Sequence, residues 1–489
     1  MKYILAMDQG TSSSRSILYS EKGELIDKCS IEYNVYTPHP GWVEQDPDDI
    51  LKSQFKTADK IIKRNNLSSK DIISVGITNQ RETTIVWDKN TGKPLYNAIV
   101  WQCRRSSEIC ERFKKYREKI HRKTGLYLDP YFSSTKLIWL FENIEGLRKK
   151  AEKNELLFGT VDSWLIYNLT GNHYTDITNA SRTMLYNIKK LKWDKELLDL
   201  FDIPENILPE VKSSNSFFGN VKKEILNINS PIMGVLGDQQ ASFFGQLCFR
   251  KGDLKNTYGT GCFMLMNTDK IKYSNNGLLT TVGYSVDNTV DYCLEGSVFT
   301  GGSLIKWLRD NLGIIKNPAQ TEKIAKKIDE NSGVYIVPAF SGLGAPYWDM
   351  NARGLITGLT SKIKKEHIVR AALEAIAYQV KDIYHVFEKD GGEISKMKVD
   401  GGASENNFLM QFQSDILNQK IIRPVITETT SLGAAFMSAV GSDIIDLENL
   451  EKLYKIDRVF SNKMNVKKIN QLYKNWKNAV NKAITKENK

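Results

Sequence analysis

The chain has 489 residues, 41% hydrophobic and 10% aromatic, which excludes a disordered protein and exceeds what one hydrophobic core organises. Its net charge of +11 is spread along the chain, and with no recognition motif beside it this excludes a nucleic-acid binder and leaves a solvated surface that favours an anionic ligand. Six cysteines show neither CxxC pairs nor zinc spacing, and neither a signal-peptide core nor a bilayer-length apolar run occurs, so the expectation is a cytoplasmic protein without stable membrane insertion.

"KYILAMD" predicts a strand, "QGTSSSR" a polar turn, "SILYS" a second strand and "LIDKCSIEY" a third, a β-meander opening. Asp8 falls at the end of the first strand, beside a turn rich in backbone and hydroxyl donors. Such a turn can cradle phosphate oxygens while the carboxylate holds Mg²⁺ through water, although an ordinary Asx-turn hairpin fits the same residues. No Lys follows at Walker spacing. A helix is expected over Pro47–Asn65, with Asp46 as N-cap and Pro47 as its first residue.

The strands "IISVGI" and "TIVWD" flank "NQRE", so Arg81 and Glu82 occupy a strand connection. A solvated hairpin tip and a grip for a small hydroxylated molecule both fit. The turn "DKNTGKP" and a strand "NAIVW" ending at Trp101 follow. Strands then alternate with helices to about Gly245, through "STKLIWLFENI" and the strand-like "FGTVDSWLIYNLTG". In "GVLGDQQASFFGQL", Asp238 follows an apolar strand and a Gly; it suits a helix N-cap or a carboxylate that takes a hydroxyl proton. The histidines have no triad companions, and G-x-S-x-G and HExxH are absent, which disfavours a hydrolase.

A turn-rich stretch at 246–256 leads into "TYGTGCFMLMNT", a second Gly-Thr turn before an apolar strand. The repetition suggests a duplicated architecture with a cleft between halves, taken as 1–250 and 251–489. The long helix "KEHIVRAALEAIAYQVKDIYHVFEK" follows, then "KMKVDGGASENNFLMQFQSDIL" as strand, turn at Gly401 and Gly402, and a helix whose N-terminus favours anions. From Val466 to Ile484 a basic amphipathic helix carries Ile469, Leu472, Tyr473, Trp476 and Val480 on one face; a surface helix docked on the protein by that face fits, as does one that binds a membrane or a partner.

In order, "MDQGTSSSRSI", "GWVEQDP", "GITNQRETTIVWD", "IVWQCRR", "DPYFSSTKLIWL", "GDQQASFFGQ", "NTYGTGCFMLMNT", "AFSGLGAPYWD" and "DGGASENNFLMQFQSDIL" resemble the FGGY carbohydrate-kinase family, and within it the members that phosphorylate glycerol. The resemblance runs over nearly the whole chain. It implies an α/β protein of two actin-like, ribonuclease-H-like ATPase domains flanking a catalytic cleft, the first binding glycerol and the second ATP. It implies ATP- and Mg²⁺-dependent transfer to glycerol, with Asp238 as general base and Asp8 as the Mg²⁺-linked carboxylate. Glycerol contacts fall on Arg81, Glu82, Trp101, Tyr131, Asp238, Gln239 and Phe263. ATP contacts fall on Thr11, Ser12, Ser13, Arg15, Thr260, Gly302, Lys306, Gly402, Ala403 and Asn406. A homodimer is a family expectation. The rivals are a related kinase acting on another sugar or polyol, and an actin- or chaperone-like ATPase with no polyol substrate.

Overall fold

The structure is a computed structural model that describes residues 2–340, 342–347, 349 and 351–485. Ser341 and Trp348 of "AFSGLGAPYWD" therefore lie outside the described residues. By contact the chain divides into two units: Met1–Leu247 with Thr280–Cys293 and Thr429–Tyr454, and Cys248–Leu279 with Leu294–Glu428 and Lys455–Lys489. The first break lies close to the expected one, but two later segments return to unit 1, which contiguous halves do not provide.

Unit 1 is organised by a six-stranded sheet ordered Gly219–Asn220, Pro231–Gly237, Ile72–Asn79, Tyr3–Gln9, Ser13–Ser20, Leu25–Glu32. The last three form the expected antiparallel meander. Tyr3–Gln9 also pairs in parallel with Ile72–Asn79, which pairs in parallel with Pro231–Gly237. These strands are almost wholly buried, as parallel strands covered on both faces must be. Side-chain alternation assigns the covers. Ser14 and Ser16 bond Ser53 and Thr57 of the helix Pro47–Arg64, whereas Tyr19, of opposite parity, bonds Ser431 of the helix Thr429–Gly441. Gly76 lets the second helix lie close, since a Cβ there would come 2.2 Å from the Ala434 carbonyl oxygen. The first helix starts as expected, with Pro47 at its first position and the Asp46 carboxylate accepting the Asp48 N–H at 2.8 Å.

Unit 2 repeats the plan in a seven-stranded sheet. Asp253–Tyr258 and Cys262–Asn267 form an antiparallel hairpin around the second Gly-Thr turn. The first of them runs parallel to Lys396–Asp400, which runs parallel to Ile421–Pro424. A hairpin with a Gly-containing turn, its first strand leading a parallel series, thus occurs in both units. This is the duplicated actin-like, ribonuclease-H-like α/β fold that the resemblance implies. The helix Lys365–Gly391 runs through the unit 2 core. The C-terminal helix Val466–Ala483 docks on it, burying Trp476, whose indole N–H donates to the buried Asp382 carboxylate at 2.8 Å.

Three local expectations change. "FGTVDSWLIYNLTG" holds a strand only at Leu156–Gly159; Val161–Thr170 is a helix ended by Gly171 in the left-handed region (φ 88°). That helix is buried on most sides, so no amphipathic stripe separates it from a buried strand. The strand of "NAIVW" is confined to Ala98–Ile99, and the turn-rich stretch stops at 252, because Asp253 already starts a strand. The six cysteines are free thiols. Among the described residues, no helix is long and apolar enough to cross a membrane.

Candidate active site

In unit 1 the first turn is built by buried amides. Asp8, the last residue but one of its strand, is 6% exposed and in register with Arg15 across the hairpin, and Arg15 approaches its carboxylate at 3.8 Å. The Gly10 N–H closes the turn on the Ser13 carbonyl at 3.0 Å. Gln45, from "GWVEQDP", donates to the Thr11 carbonyl at 2.6 Å and accepts from Gln80 at 2.8 Å. Tyr33 donates to the Gly10 carbonyl, and burial pushes its phenol well above the ordinary range. Thr11 and Ser13 are half-buried and Ser12 is exposed, so this held loop presents its tip to solvent.

The connection "NQRE" is no solvated tip. Arg81 and Glu82 are 2% and 1% exposed. Glu82 sits at φ 60°, a left-handed conformation uncommon outside Gly, and its carbonyl accepts the Ser133 hydroxyl at 3.1 Å. Arg81 reaches the Glu82 carboxylate at 3.8 Å, the Gln240 amide oxygen at 3.0 Å and the Asp238 carboxylate at 3.4 Å. A Cβ on Gly237 would lie 2.8 Å from the Arg81 stem, so the glycine before Asp238 gives the arginine its path.

Asp238 is the first residue of the helix Asp238–Gly245, and Gly237 holds the N-cap position. The Asp238 carboxylate instead accepts the Gln239 N–H at 2.7 Å and faces Arg81, its side chain 31% exposed. It is the most open acid of this group. Trp101 donates its indole N–H to the Thr11 hydroxyl at 3.0 Å and meets the Tyr131 ring edge-on at 5.5 Å. The first turn, the aromatic pair and the Arg81–Glu82–Asp238 series therefore form one connected cluster within unit 1, with Gln239 beside it.

Unit 2 holds the remaining candidates. Gly261 is required by packing, since a Cβ would come 2.4 Å from the Val298 carbonyl oxygen. The N–H groups of Gly301 and Ser303 converge on the Thr260 carbonyl at 2.8 and 3.1 Å, and that of Gly302 meets the Gly259 carbonyl at 2.8 Å. The second Gly-Thr turn is thereby stapled to the start of the helix Gly302–Asp310, with Thr260 exposed. Gly302 spends its own N–H on that staple. Phe263 is half-buried on Cys262–Asn267, and Lys306 is exposed one turn into the helix. Gly401 needs its glycine (φ 82°, with a Cβ 2.6 Å from the Tyr258 carbonyl oxygen), whereas Gly402 faces open space. Ala403 lies half-buried in the next turn, and Asn406 caps the helix Asn407–Leu417 while donating to Thr321 at 3.0 Å.

Sequence reasoning passed over three site residues. Arg182, fully buried, donates to Glu82 at 2.5 Å. Gln240 accepts from Arg81. Lys136 donates to the Tyr131 carbonyl, with its amine lowered to about 8 by burial, an effect the nearby Glu82 charge opposes. The only local signal was a charged residue inside an otherwise apolar or small-residue run, "SSTKLIWL" and "NASRTML".

Comparison with known proteins bears on the whole chain. Residues 3–245 match the N-terminal domain of the FGGY family of carbohydrate kinases, and residues 254–442 match its C-terminal domain. Glycerol kinase 2 of Thermotoga maritima is 54% identical, over 99% of both chains. The crystal structure of Plasmodium falciparum glycerol kinase with ADP superposes with a TM-score of 0.92 at 40% identity, covering 100% of this chain and 99% of that one. Ligand-bound xylulose kinase from Lactobacillus acidophilus gives 0.88 at 25% identity, covering 98% and 97%. Matched along nearly its full length in sequence and in fold, the chain belongs to the FGGY family of carbohydrate kinases.

Proposed function

We propose that this chain transfers the terminal phosphoryl group of ATP to glycerol, forming sn-glycerol 3-phosphate and ADP. The observation that carries this reading is the buried Arg81–Glu82 pair, held against the more open Asp238 and within one cluster with Trp101 and Tyr131. A neutral triol offers only hydroxyl donors and acceptors and a short carbon chain. A fixed guanidinium and carboxylate answer the hydroxyls, and the aromatic pair, with Phe263, answers the carbons. The names of the Thermotoga and Plasmodium relatives support glycerol as substrate, and the ADP in the latter supports ATP as donor.

Asp238 serves as general base, accepting the hydroxyl proton as the oxygen attacks; Gln239 holds glycerol beside it. Phosphoryl transfer asks a protein chiefly for positioning and charge stabilisation. Thr11, Ser12, Ser13 and Arg15 on one turn and Thr260 on the other hold phosphate oxygens, while Gly302, Lys306, Gly402, Ala403 and Asn406 contact the rest of the nucleotide. Mg²⁺ fits Asp8: it is usually bound through one or two carboxylates plus substrate phosphates, and Asp8 supplies one carboxylate beside a donor-rich turn. Bound there, the ion would neutralise phosphate charge. We further infer a cytoplasmic homodimer.

A coupled ADP-release assay tests the reading, comparing glycerol with erythritol, xylulose and gluconate. Glycerol should be favoured by a factor on the order of 10² or more in kcat/KM, since a polar site punishes an ill-fitting hydroxyl pattern. A preference for xylulose or gluconate would move the chain to another activity within its family. ATP turnover indifferent to every polyol would support the actin- or chaperone-like rival.

A further inference from the structure

Seven residues, Asp176–Arg182 ("DITNASR"), touch both arms of the site in unit 1. The fully buried Asp176 carboxylate accepts the backbone N–H groups of Thr178 at 3.0 Å and Asn179 at 2.9 Å. It also accepts the Thr178 hydroxyl at 2.9 Å, the Ser214 hydroxyl at 2.8 Å and the Asn179 amide at 2.9 Å. Five donors on one carboxylate fix the short helix Ile177–Ala180. From it, contacts leave in three directions. The Thr178 hydroxyl oxygen accepts the N–H of Gly237, the residue before Asp238, at 2.9 Å. Asn179 exchanges amide bonds of 3.0 and 3.1 Å with Asn79, two residues before Arg81. Arg182 donates Nε to the Glu82 carboxylate at 2.5 Å, its guanidinium 5.3 Å from the Phe132 ring and 5.8 Å from that of Tyr131.

We propose that Asp176–Arg182 is a positioning segment for the transfer, in which Thr178 sets the backbone entry to Asp238 and Arg182 sets the Glu82 carboxylate. The inference rests on the proposed phosphorylation of glycerol. The three outgoing contacts end on the two stretches that carry Arg81, Glu82 and Asp238, so one rigid segment fixes the distance from polyol grip to base. That distance matters because a displacement of about 1 Å between a reacting hydroxyl and its base costs on the order of a hundredfold in rate. Arg182 in addition gives Glu82 a second cation. The carboxylate is then oriented from two sides, by Arg81 and Arg182, with the Lys136 ammonium nearby. Thr178 and Arg182 act through other residues and need not touch substrate.

Three full-length variants test this by kcat, both KM values and melting temperature. Each is assayed with whichever polyol the wild-type chain phosphorylates, so failure of the glycerol reading shows in the wild type and failure of the positioning segment only in the variants. Thr178→Val removes the hydroxyl at nearly constant shape, and Thr178→Ser keeps it. The valine variant should lose roughly ten- to a hundredfold in kcat, with the KM for ATP unchanged and serine restoring most of the rate. Arg182→Lys keeps the charge but not the planar fork. It should raise the KM for the polyol by about tenfold or more, leave that for ATP alone and weaken discrimination against a deoxy analogue such as 1,2-propanediol. The inference is overturned if Thr178→Val and Arg182→Lys lower only the melting temperature, if both KM values rise together, or if serine is as poor as valine.

Discussion

At the scale of single residues, Asp238 is where a structural and a chemical role separate most cleanly. In a helix N-cap, Asn replaces Asp at little cost. Here Gly237 occupies the cap and the Asp238 carboxylate faces Arg81 while staying partly open. Asp238→Asn keeps the shape and an accepting oxygen but removes charge and basicity. A general base contributes roughly 10² to 10⁴ in rate, so kcat should fall by that much while glycerol binding, read by calorimetry, and the melting temperature hold. Near wild-type kcat in the folded variant would remove the base assignment. Arg81 and Glu82 stood out as single residues because they interrupt strands that otherwise read as buried, but a solvated hairpin tip fitted them as well, and it was the family resemblance that assigned them to a site. Arg182 was not legible. Its partner Glu82 lies 100 positions away, and nothing near "NASR" shows that a buried carboxylate needs a second cation.

At the scale of elements, legibility followed exposure. The helix Pro47–Arg64 has a polar face, a proline at its start and a capping aspartate, so local chemistry sufficed. The helix Val161–Thr170 is nearly all buried, so only Gly171 marked its end. That helix starts beside a polar junction of consequence. Asp162, completely buried, accepts the hydroxyls of Thr160 and of Thr175, the latter at 2.6 Å, and the Asp176 N–H at 3.4 Å. Burial, reinforced by the Asp176 charge, raises its carboxyl from 3.8 to about 7. The sign follows from proton binding: between those values the folded chain holds more protons than the unfolded one. This group's stabilisation is full below about pH 4 and is lost as pH rises through about 7. His173 opposes it in part, since burial lowers its imidazole to about 4, which favours folding as pH rises. A variant-minus-wild-type comparison cancels that background. Asp162→Asn cannot titrate, so its melting temperature relative to wild type should be higher at pH 7.5 than at pH 4.5. A difference constant across that range would mean that Asp162 is ionised in the fold throughout.

At the scale of the whole molecule, the chain order does not follow the units. The helix Thr429–Gly441 belongs to unit 1, although some 180 residues separate it from the break at Leu247. Glycines on both sides of the contact show how close the approach is. A Cβ on Gly234 would lie 2.4 Å from the Ser438 nitrogen, one on Gly245 2.3 Å from the Thr429 carbonyl oxygen, and one on Gly433 1.8 Å from that of Ala241. Local patterning could report the apolar run "SLGAAFMSAV" but not which sheet it covers, so contiguous halves were the natural expectation. The consequence is testable. Leu432, Phe436 and Met437 of this helix are buried, and each apolar side chain of that kind contributes about 1.5–3 kcal/mol on burial. Their sum, before counting the sheet residues left bare, is comparable to the net stability of a typical domain, about 5–15 kcal/mol. A fragment of residues 1–250 should therefore aggregate or melt without a cooperative transition, with its parallel strands uncovered on one face. Joining residues 429–454 to it through a flexible Gly/Ser linker should restore cooperative melting and the Tyr454 contact to Gln246, 2.7 Å in the full chain. A monomeric 1–250 fragment with a sharp thermal transition of its own would show that the sheet does not depend on this helix, and that unit 1 is complete before the chain leaves it.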